Sequence, residues 1–234
     1  MPRIHHFAMA TAFACTPAMA GSEFSLTADI YGSSGSGSQS TAGTGTHTVL
    51  DLYLDNVSGS DRRVLSLFNL DVSLGQGDFV HDDADTVGGG DGNWSATWNT
   101  LGGNAEIDSF VTLGPMSGAD PFAASLDPNF DGAVAGSVSS DAGWFNNDPD
   151  NGQGNAATGE RVMIGRFVIL NDLVSETTVT VAGEYSYNYQ TPGVYFGGMS
   201  GSFTLPAAST PAVPGPVGMI AFAALGLAGR GRRR

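Results

Sequence analysis

Between residues 22 and 205, apolar and polar residues alternate with a period of two. In the stretch FSLTADIY, which begins at Phe24, Leu26 and Ile30 fall on one face while Thr27 and Asp29 fall on the other. Such alternation is typical of a strand with one buried face. Comparable stretches predict about eight strands in all: TVLDLYLDN (48–56), RRVLSLFNLDVSL (62–74), SFVTL (109–113), RVMIGRFVIL (161–170), TTVTVAG (177–183), EYSYNYQ (184–190) and GSFTL (201–205).

The longest of these stretches, 62–74, has one face that is richer in apolar residues than the other. Strict alternation places Phe68 on the richer face and Leu67 on the opposite one. The apolar face is then expected to consist of Val64, Phe68, Leu70, Val72 and Leu74.

Turn residues separate the predicted strands. Glycine accounts for 34 of the 234 residues, and it clusters in 32–45, in 88–92, at Asp131-Gly132 and at Asn151-Gly152. No stretch between the two ends combines helical periodicity with helix caps. Many short strands with frequent turns favour an all-β fold, an antiparallel β-sandwich of the jelly-roll or cohesin-like type.

The N-terminus has the order of a secretory signal peptide. Arg3 precedes an apolar run, and the small residues Ala18 and Ala20 then form a cleavage site. We therefore expect residues 1–20 to be a signal helix that is removed after Ala20. Cys15, the sole cysteine, would leave with it, so the exported body can form no disulfide.

The C-terminus carries a second hydrophobic segment. The apolar run 217–229 follows Val213-Pro214-Gly215-Pro216 and precedes a cluster of arginines. The run is shorter than the roughly 20 residues that a bilayer span needs. It is expected to form a short hydrophobic helix with transient membrane association. The arginines would keep its end on the cytoplasmic side of the inner membrane, and the body would lie outside.

This arrangement of prolines, apolar run and terminal arginines resembles the PEP-CTERM sorting signal of exported bacterial proteins, also catalogued as an ice-binding protein C-terminal domain. Gly215 stands where the family motif has Glu. The resemblance implies an exosortase-type processing enzyme as partner, and localisation to the cell surface, outer membrane or extracellular matrix. The sorting residues would be Pro214, Gly215, Pro216, Arg230, Arg232, Arg233 and Arg234.

The domain organisation follows from these segments. We predict a signal peptide at 1–20, a β-sandwich domain at 21–205, a linker at 206–213 and a sorting and anchor segment at 214–234. The linker is assigned because Pro, Ala, Ser and Thr dominate it. The stretches DSFVTLG, DPNF, AGWFNNDPDNGQG and RVMIGRFVI make the body similar to uncharacterised β-sandwich proteins that carry this kind of tail.

The body is strongly acidic. The chain has no lysine, and four of its nine arginines share the body with all 23 acidic residues. This charge disfavours nucleic acid and anionic surfaces as partners. It fits either a soluble surface in a salty exterior or the binding of cations.

Two acidic loops carry the candidate cation ligands. Alternating Asp and Asn in a Gly-containing loop can present several oxygens to Ca²⁺. Neither loop fits the EF-hand, since the twelfth position, counted with Asn146 as the first, is Ala157 where that motif has Glu. The other interpretation is a solvated turn in which Asx side chains bond their own backbone. The candidate calcium ligands are Asp148, Asp150 and Asn146 in one loop, and Asp83, Asp85 and Asp91 in the other.

Aromatic residues give a second candidate site. Three tryptophans flank the acidic loops, and three tyrosines alternate along one predicted strand: Trp94, Trp98 and Trp144, and Tyr185, Tyr187 and Tyr189. Rings in a row on a sheet face can stack on sugars, while nearby carboxylates take the hydroxyls. The other interpretation places these rings in the core.

Catalytic motifs are not found. The body contains two histidines, and the sequence has no zinc-protease motif, nucleophile elbow or P-loop. The leading hypothesis is a non-enzymatic, exported surface or matrix protein whose partners are exopolysaccharide or neighbouring surface proteins. The alternative is a carbohydrate-binding module or carbohydrate-active enzyme.

Overall fold

The computed structural model describes residues 23–81, 94, 104–114, 124–127, 137–146, 151–189 and 193–209. These residues form strands and no helix. The predicted terminal helices lie outside the described residues. The strands are β1 (Phe24–Ser33), β2 (His47–Asn56), β3 (Arg62–Leu74), β4 (Phe110–Val111), β5 (Ser125–Leu126), β6 (Ser137–Phe145), β7 (Asn155–Ala156), β8 (Arg161–Leu170), β9 (Thr177–Asn188) and β10 (Tyr195–Leu205).

The strands make two antiparallel sheets. The four-stranded sheet has the order β1-β2-β8-β4, and the six-stranded sheet has the order β10-β9-β3-β6-β5, with β7 paired to one end of β3. This confirms the all-β prediction and gives a β-sandwich-like architecture. Strand β3 pairs on both sides, with β9 along one edge and with β6 and β7 along the other.

One hydrophobic core lies between the sheets. The four-stranded sheet contributes Leu50, Leu52 and Leu54 of β2, and the six-stranded sheet contributes Leu67 and Val72 of β3, all of them buried in the same cluster. Burial of apolar surface on this scale is the main force that holds the two sheets together.

Several strand assignments are corrected by the structure: β5, β6 and β7 were not predicted, two predicted strands are one, and β10 begins at Tyr195, before the predicted GSFTL. Strand β6 is not among the predicted strands, because serines and Gly143 leave few apolar residues in SVSSDAGWF. The stretches TTVTVAG and EYSYNYQ form the single strand β9, since Gly183 is a strand residue against which Leu70 packs. A methyl group at Gly183 would lie 2.7 Å from Leu70 Cδ1.

The prediction that Phe68 lies on the buried face of β3 is wrong. The register of β3 against β9 shifts between Val64 and Ser66 and again between Phe68 and Asp71. Each bulge inserts a residue and reverses the alternation. Between the two bulges Leu67 is therefore buried, and Phe68 is partly exposed.

The chain beyond β10 stays attached to the body for the four residues described there. Ala208 N donates to Leu173 O at 3.0 Å, and Ser209 N donates to Gly43 O at 2.8 Å. The first part of the predicted linker is thus held by main-chain hydrogen bonds.

Gly197 and Gly198 offer a matched pair of substitutions on β10. A methyl group at Gly197 would collide with the ring of Tyr185, which is fully buried. At Gly198 the nearest atom would be Gly183 O, at 3.9 Å. We expect Gly197→Ala to lower the free energy of unfolding by about 1–3 kcal/mol. Gly198→Ala should change it by less than about 0.5 kcal/mol. Urea unfolding measures both, and equal effects would contradict this packing.

Candidate functional site

The aromatic residues expected to form a sugar platform are mostly core residues. Trp94 and Trp144 are each 1% exposed, and Trp144 Nε1 donates to Thr112 O at 2.8 Å. Tyr185 and Tyr187 are buried against Phe24 with edge-to-face geometry. These four rings therefore have no face available to a ligand, as the core interpretation expects.

The remaining two aromatic candidates differ from the buried four. Tyr189 lies just past the end of β9, is 37% exposed and stacks on Tyr195 with ring centroids 4.7 Å apart. The guanidinium of Arg62 lies 4.5 Å from the centre of the Tyr189 ring. Trp98 lies outside the described residues.

Of the candidate calcium ligands, Asn146 is the one that the structure describes. Its side chain exchanges hydrogen bonds with Asn151: Asn146 Nδ2 donates to Asn151 Oδ1 at 3.0 Å, and Asn151 Nδ2 donates back at 3.3 Å. Asn151 Nδ2 also donates to Gln153 Oε1 at 2.8 Å. Within the described ranges, no group of three His, Cys, Asp or Glu side chains converges as a metal site. The other five candidates lie outside them: Asp148, Asp150, Asp83, Asp85 and Asp91.

The outer face of the four-stranded sheet carries a buried ion pair. Arg166 of β8 binds Asp51 of β2 through two parallel hydrogen bonds, Nε to Oδ1 at 2.6 Å and Nη2 to Oδ2 at 2.9 Å. Tyr31 of β1 donates its hydroxyl to Asp51 Oδ2 at 3.0 Å, and Arg166 Nη1 donates to Ala105 O at 2.6 Å. We call these four residues the Arg166 clamp. It joins three strands and holds the segment around Ala105 over the sheet.

The clamp changes the acid–base properties of its members. Burial, and next the negative charge of Asp51, raise the pKa of the Tyr31 phenol well above its ordinary value. Burial by itself lowers the pKa of Arg166, but the hydrogen bonds and charge of Asp51 outweigh burial and raise it. Both groups therefore keep their protons, which suits a structural ion pair and not a proton-transfer site.

A second ion pair lies further along the same face. Arg161 binds Asp29 through Nη1 to Oδ1 at 3.0 Å and Nη2 to Oδ2 at 2.5 Å, and its guanidinium lies 3.7 Å from the centre of the Tyr53 ring. Both charged side chains are nearly half exposed, at 45% and 47%, so the pair contributes little stability. Both arginines described on this face are therefore paired with aspartates.

The outer face of the six-stranded sheet is different, because it carries an aromatic groove. Strand pairing sets four residues in a row across the sheet: Phe196 of β10 opposite Ser186 of β9, then Ser66 of β3, then Phe145 of β6. Small serines between two large rings leave a depression of about 440 Å³. We call it the Phe groove. It is lined chiefly by Ser66, Phe68, Asp127, Gly143, Phe145 and Phe196.

Two rings of the Phe groove pack against each other, and two are exposed to solvent. Phe68 and Phe196 meet edge to face, with centroids 6.0 Å apart and planes at 85°. Phe145 and Phe196 are 42% and 52% exposed. Below them, Ser66 Oγ and Ser186 Oγ share a hydrogen bond of 2.6 Å.

Gly143 gives the groove its acidic end. A Cβ at this position would lie 2.7 Å from Leu67 O and 3.1 Å from Asp127 Oδ2, so glycine allows the Asp127 carboxylate to approach β6. The main chain holds this contact, since Asp127 N donates to Gly143 O at 3.0 Å. A carboxylate therefore lines the groove together with the three rings.

The sequence interpretation missed the Phe groove. Phe68 is predicted to lie in the core, Phe145 belongs to no predicted strand, and Phe196 precedes the stretch predicted as the last strand. The usable signal was that each ring directly follows another large apolar residue, in Leu67-Phe68, Trp144-Phe145 and Tyr195-Phe196. Neighbouring side chains of a strand point to opposite faces, so one member of each pair must lie outside the core.

Comparison with models of known protein families gave no match, and comparison with curated proteins gave none. The described residues form a two-sheet, all-β protein. One outer face carries the ion pairs, and the other carries the Phe groove. Among the described residues, none belongs to a helix that is long and apolar enough to cross a membrane. The signal cleavage residues and sorting residues lie outside those ranges.

The raised pKa of Tyr31 predicts a loss of stability in alkali. An unfolded tyrosine ionises near pH 10, whereas the folded state holds the Tyr31 proton more tightly. The Tyr31 contribution is therefore complete below about pH 10 and is lost as the pH rises above it. Between about pH 8 and pH 11, urea unfolding should show a steeper loss for the wild type than for Tyr31→Phe. Parallel losses would contradict the clamp geometry.

Proposed function

We propose that this chain is an exported, non-enzymatic surface or matrix protein that is sorted through its C-terminal tail. The observation that carries this proposal is the pairing of a signal peptide at 1–20 with a PEP-CTERM-like segment at 214–234. The finer fold type, jelly-roll or cohesin-like, belongs to the same proposal.

The described body supports an exported role in physical terms. Its core joins two sheets without any cysteine, so stability depends on apolar burial and not on redox state. Its acidic balance favours solubility outside the cell. In the proposal, an exosortase-type enzyme processes the tail after transient insertion in the inner membrane. The mature partners are exopolysaccharide or neighbouring surface proteins.

The sorting step can be tested in a bacterium that contains an exosortase-type enzyme. We expect the full chain to be exported and shortened at its C-terminus. Pro214→Ala with Pro216→Ala should instead leave a longer form in the inner membrane, because the recognition element is gone. Pro211→Ala, in the linker, is the matched control and should behave as the wild type. Fractionation with immunoblotting measures both the length and the location of the product.

Two results would contradict this assignment. One is retention of the wild-type chain in the cytoplasm, and the other is identical processing of the wild type and the double proline variant.

The acidic loops are proposed to take Ca²⁺ as a stabilising ion. A ligand that binds the folded state alone raises its melting temperature. Saturating Ca²⁺ should raise it by about 5 °C over EDTA. Asp148→Ala with Asp150→Ala should abolish the rise. Asp172→Ala with Glu176→Ala removes two exposed acids elsewhere and should preserve it. An equal rise in both double variants would show nonspecific screening, and no rise in the wild type would exclude the site.

A further inference from the structure

We propose that the Phe groove is a binding site for a neutral polysaccharide, with sugar rings held against Phe145 and Phe196. The inference rests on the proposed surface or matrix function, because that location supplies polysaccharide as a partner.

Among the described residues of this sheet face, the exposed aromatic rings lie at one end. Along β9 and β10 the outward positions beyond the groove hold small or polar residues: Glu184, Ala182, Thr180 and Thr178 on β9, and Gly198, Ser200, Ser202 and Thr204 on β10. A purely structural outer face has no need of large exposed rings, and solvent contact makes them unfavourable. A cluster of three on an otherwise polar face marks an interaction site.

The arrangement of rings and hydroxyls fits a saccharide. A pyranose has apolar C–H faces that pack on aromatic rings, and its hydroxyls at the ring edge need hydrogen-bond partners. In the groove Phe145 and Phe196 provide the ring faces on either side of Ser66. The Ser66 hydroxyl and the Asp127 carboxylate provide polar atoms at the floor and at one end.

The charge of the groove selects among polysaccharides. Asp127 lines it, Glu184 lies exposed on the same face opposite Phe68, and no arginine is among the lining residues that the structure describes. A polymer of uronic acids would meet like charge here, and the chain as a whole has a formal charge of −14. A neutral chain avoids this repulsion.

An alkylammonium ion is the competing ligand, since rings together with a carboxylate also attract cations. Cation sites enclose the charge with rings on several sides, whereas the Phe groove is an open depression that crosses four strands. Its serine hydroxyls would find no hydrogen-bond partner on a quaternary ammonium group. An open trough suits a long polymer better.

The test is affinity electrophoresis of the purified full chain in gels that contain a soluble β-glucan or a galactomannan. We expect retardation by at least one of these neutral polymers and none by polygalacturonate. Phe196→Ala and Phe145→Ala should each weaken binding by about fivefold. Val194→Ala, which shortens another exposed side chain of the same region, is the control and should bind as the wild type.

Two further variants make the outcome decisive. Phe196→Tyr keeps the ring and should keep binding, and unchanged melting temperatures show that the variants fold. Asp127→Asn retains hydrogen bonding, so it should preserve glycan binding. If choline competes with the polymer and choline binding requires the Asp127 charge, the groove is a cation site and the proposal is overturned.

Absence of retardation by both neutral polymers would overturn it, as would wild-type binding by folded Phe196→Ala and Phe145→Ala. Because binding is measured on purified protein, such a failure is distinct from a failure of sorting, which fractionation of cells reports.

Discussion

The two-sided pairing of β3 is the constraint on which the six-stranded sheet depends. A strand that hydrogen bonds along both edges cannot slip by one residue without turning all of its side chains to the other face. The bulges on either side of Leu67 and Phe68 fix where the alternation reverses. The same backbone irregularity thus buries Leu67 in the core and turns Phe68 outward into the Phe groove. The bulges therefore position both the core and the candidate site, and a change of register would disrupt both.

Stability without disulfides requires close packing, and the glycines of the six-stranded sheet show how it is obtained. Gly197 leaves the space that the Tyr185 ring fills, and Gly183 does the same for Leu70. Each glycine carries a cost in chain entropy, but each admits a large buried side chain from a neighbouring strand. The Arg166 clamp works differently. Its charges are removed from water, so it contributes by fixing the geometry of three strands more than by adding net stability.

Sequence patterns predicted β1, β2 and β8 almost to the residue, because β1 and β2 alternate in sequence and β8 is a short apolar run that begins just after Gly159. Periodicity did not predict β6 and placed Phe68 on the wrong face of β3. Bulges and strand glycines interrupt the apolar–polar alternation from which strands are predicted. The Phe groove could not be predicted from sequence periodicity for a different reason. Its residues come from β3, β6, β10 and the end of β5, and only the strand order brings them together. The acidic loops could be predicted as candidate cation sites because their oxygens are adjacent in sequence. Their proximity therefore does not depend on the strand order.

The position of the Phe groove within β10 bears on how an anchored protein would present it. Phe196 is the second residue of the strand and Leu205 the last, so an extended chain separates them by about 30 Å. The described chain continues from Leu205 to Ser209, where it binds Gly43. A tail that is held at a membrane or surface leaves the body from that end. The groove then lies toward the opposite end of the sheet, where a polymer chain can reach it.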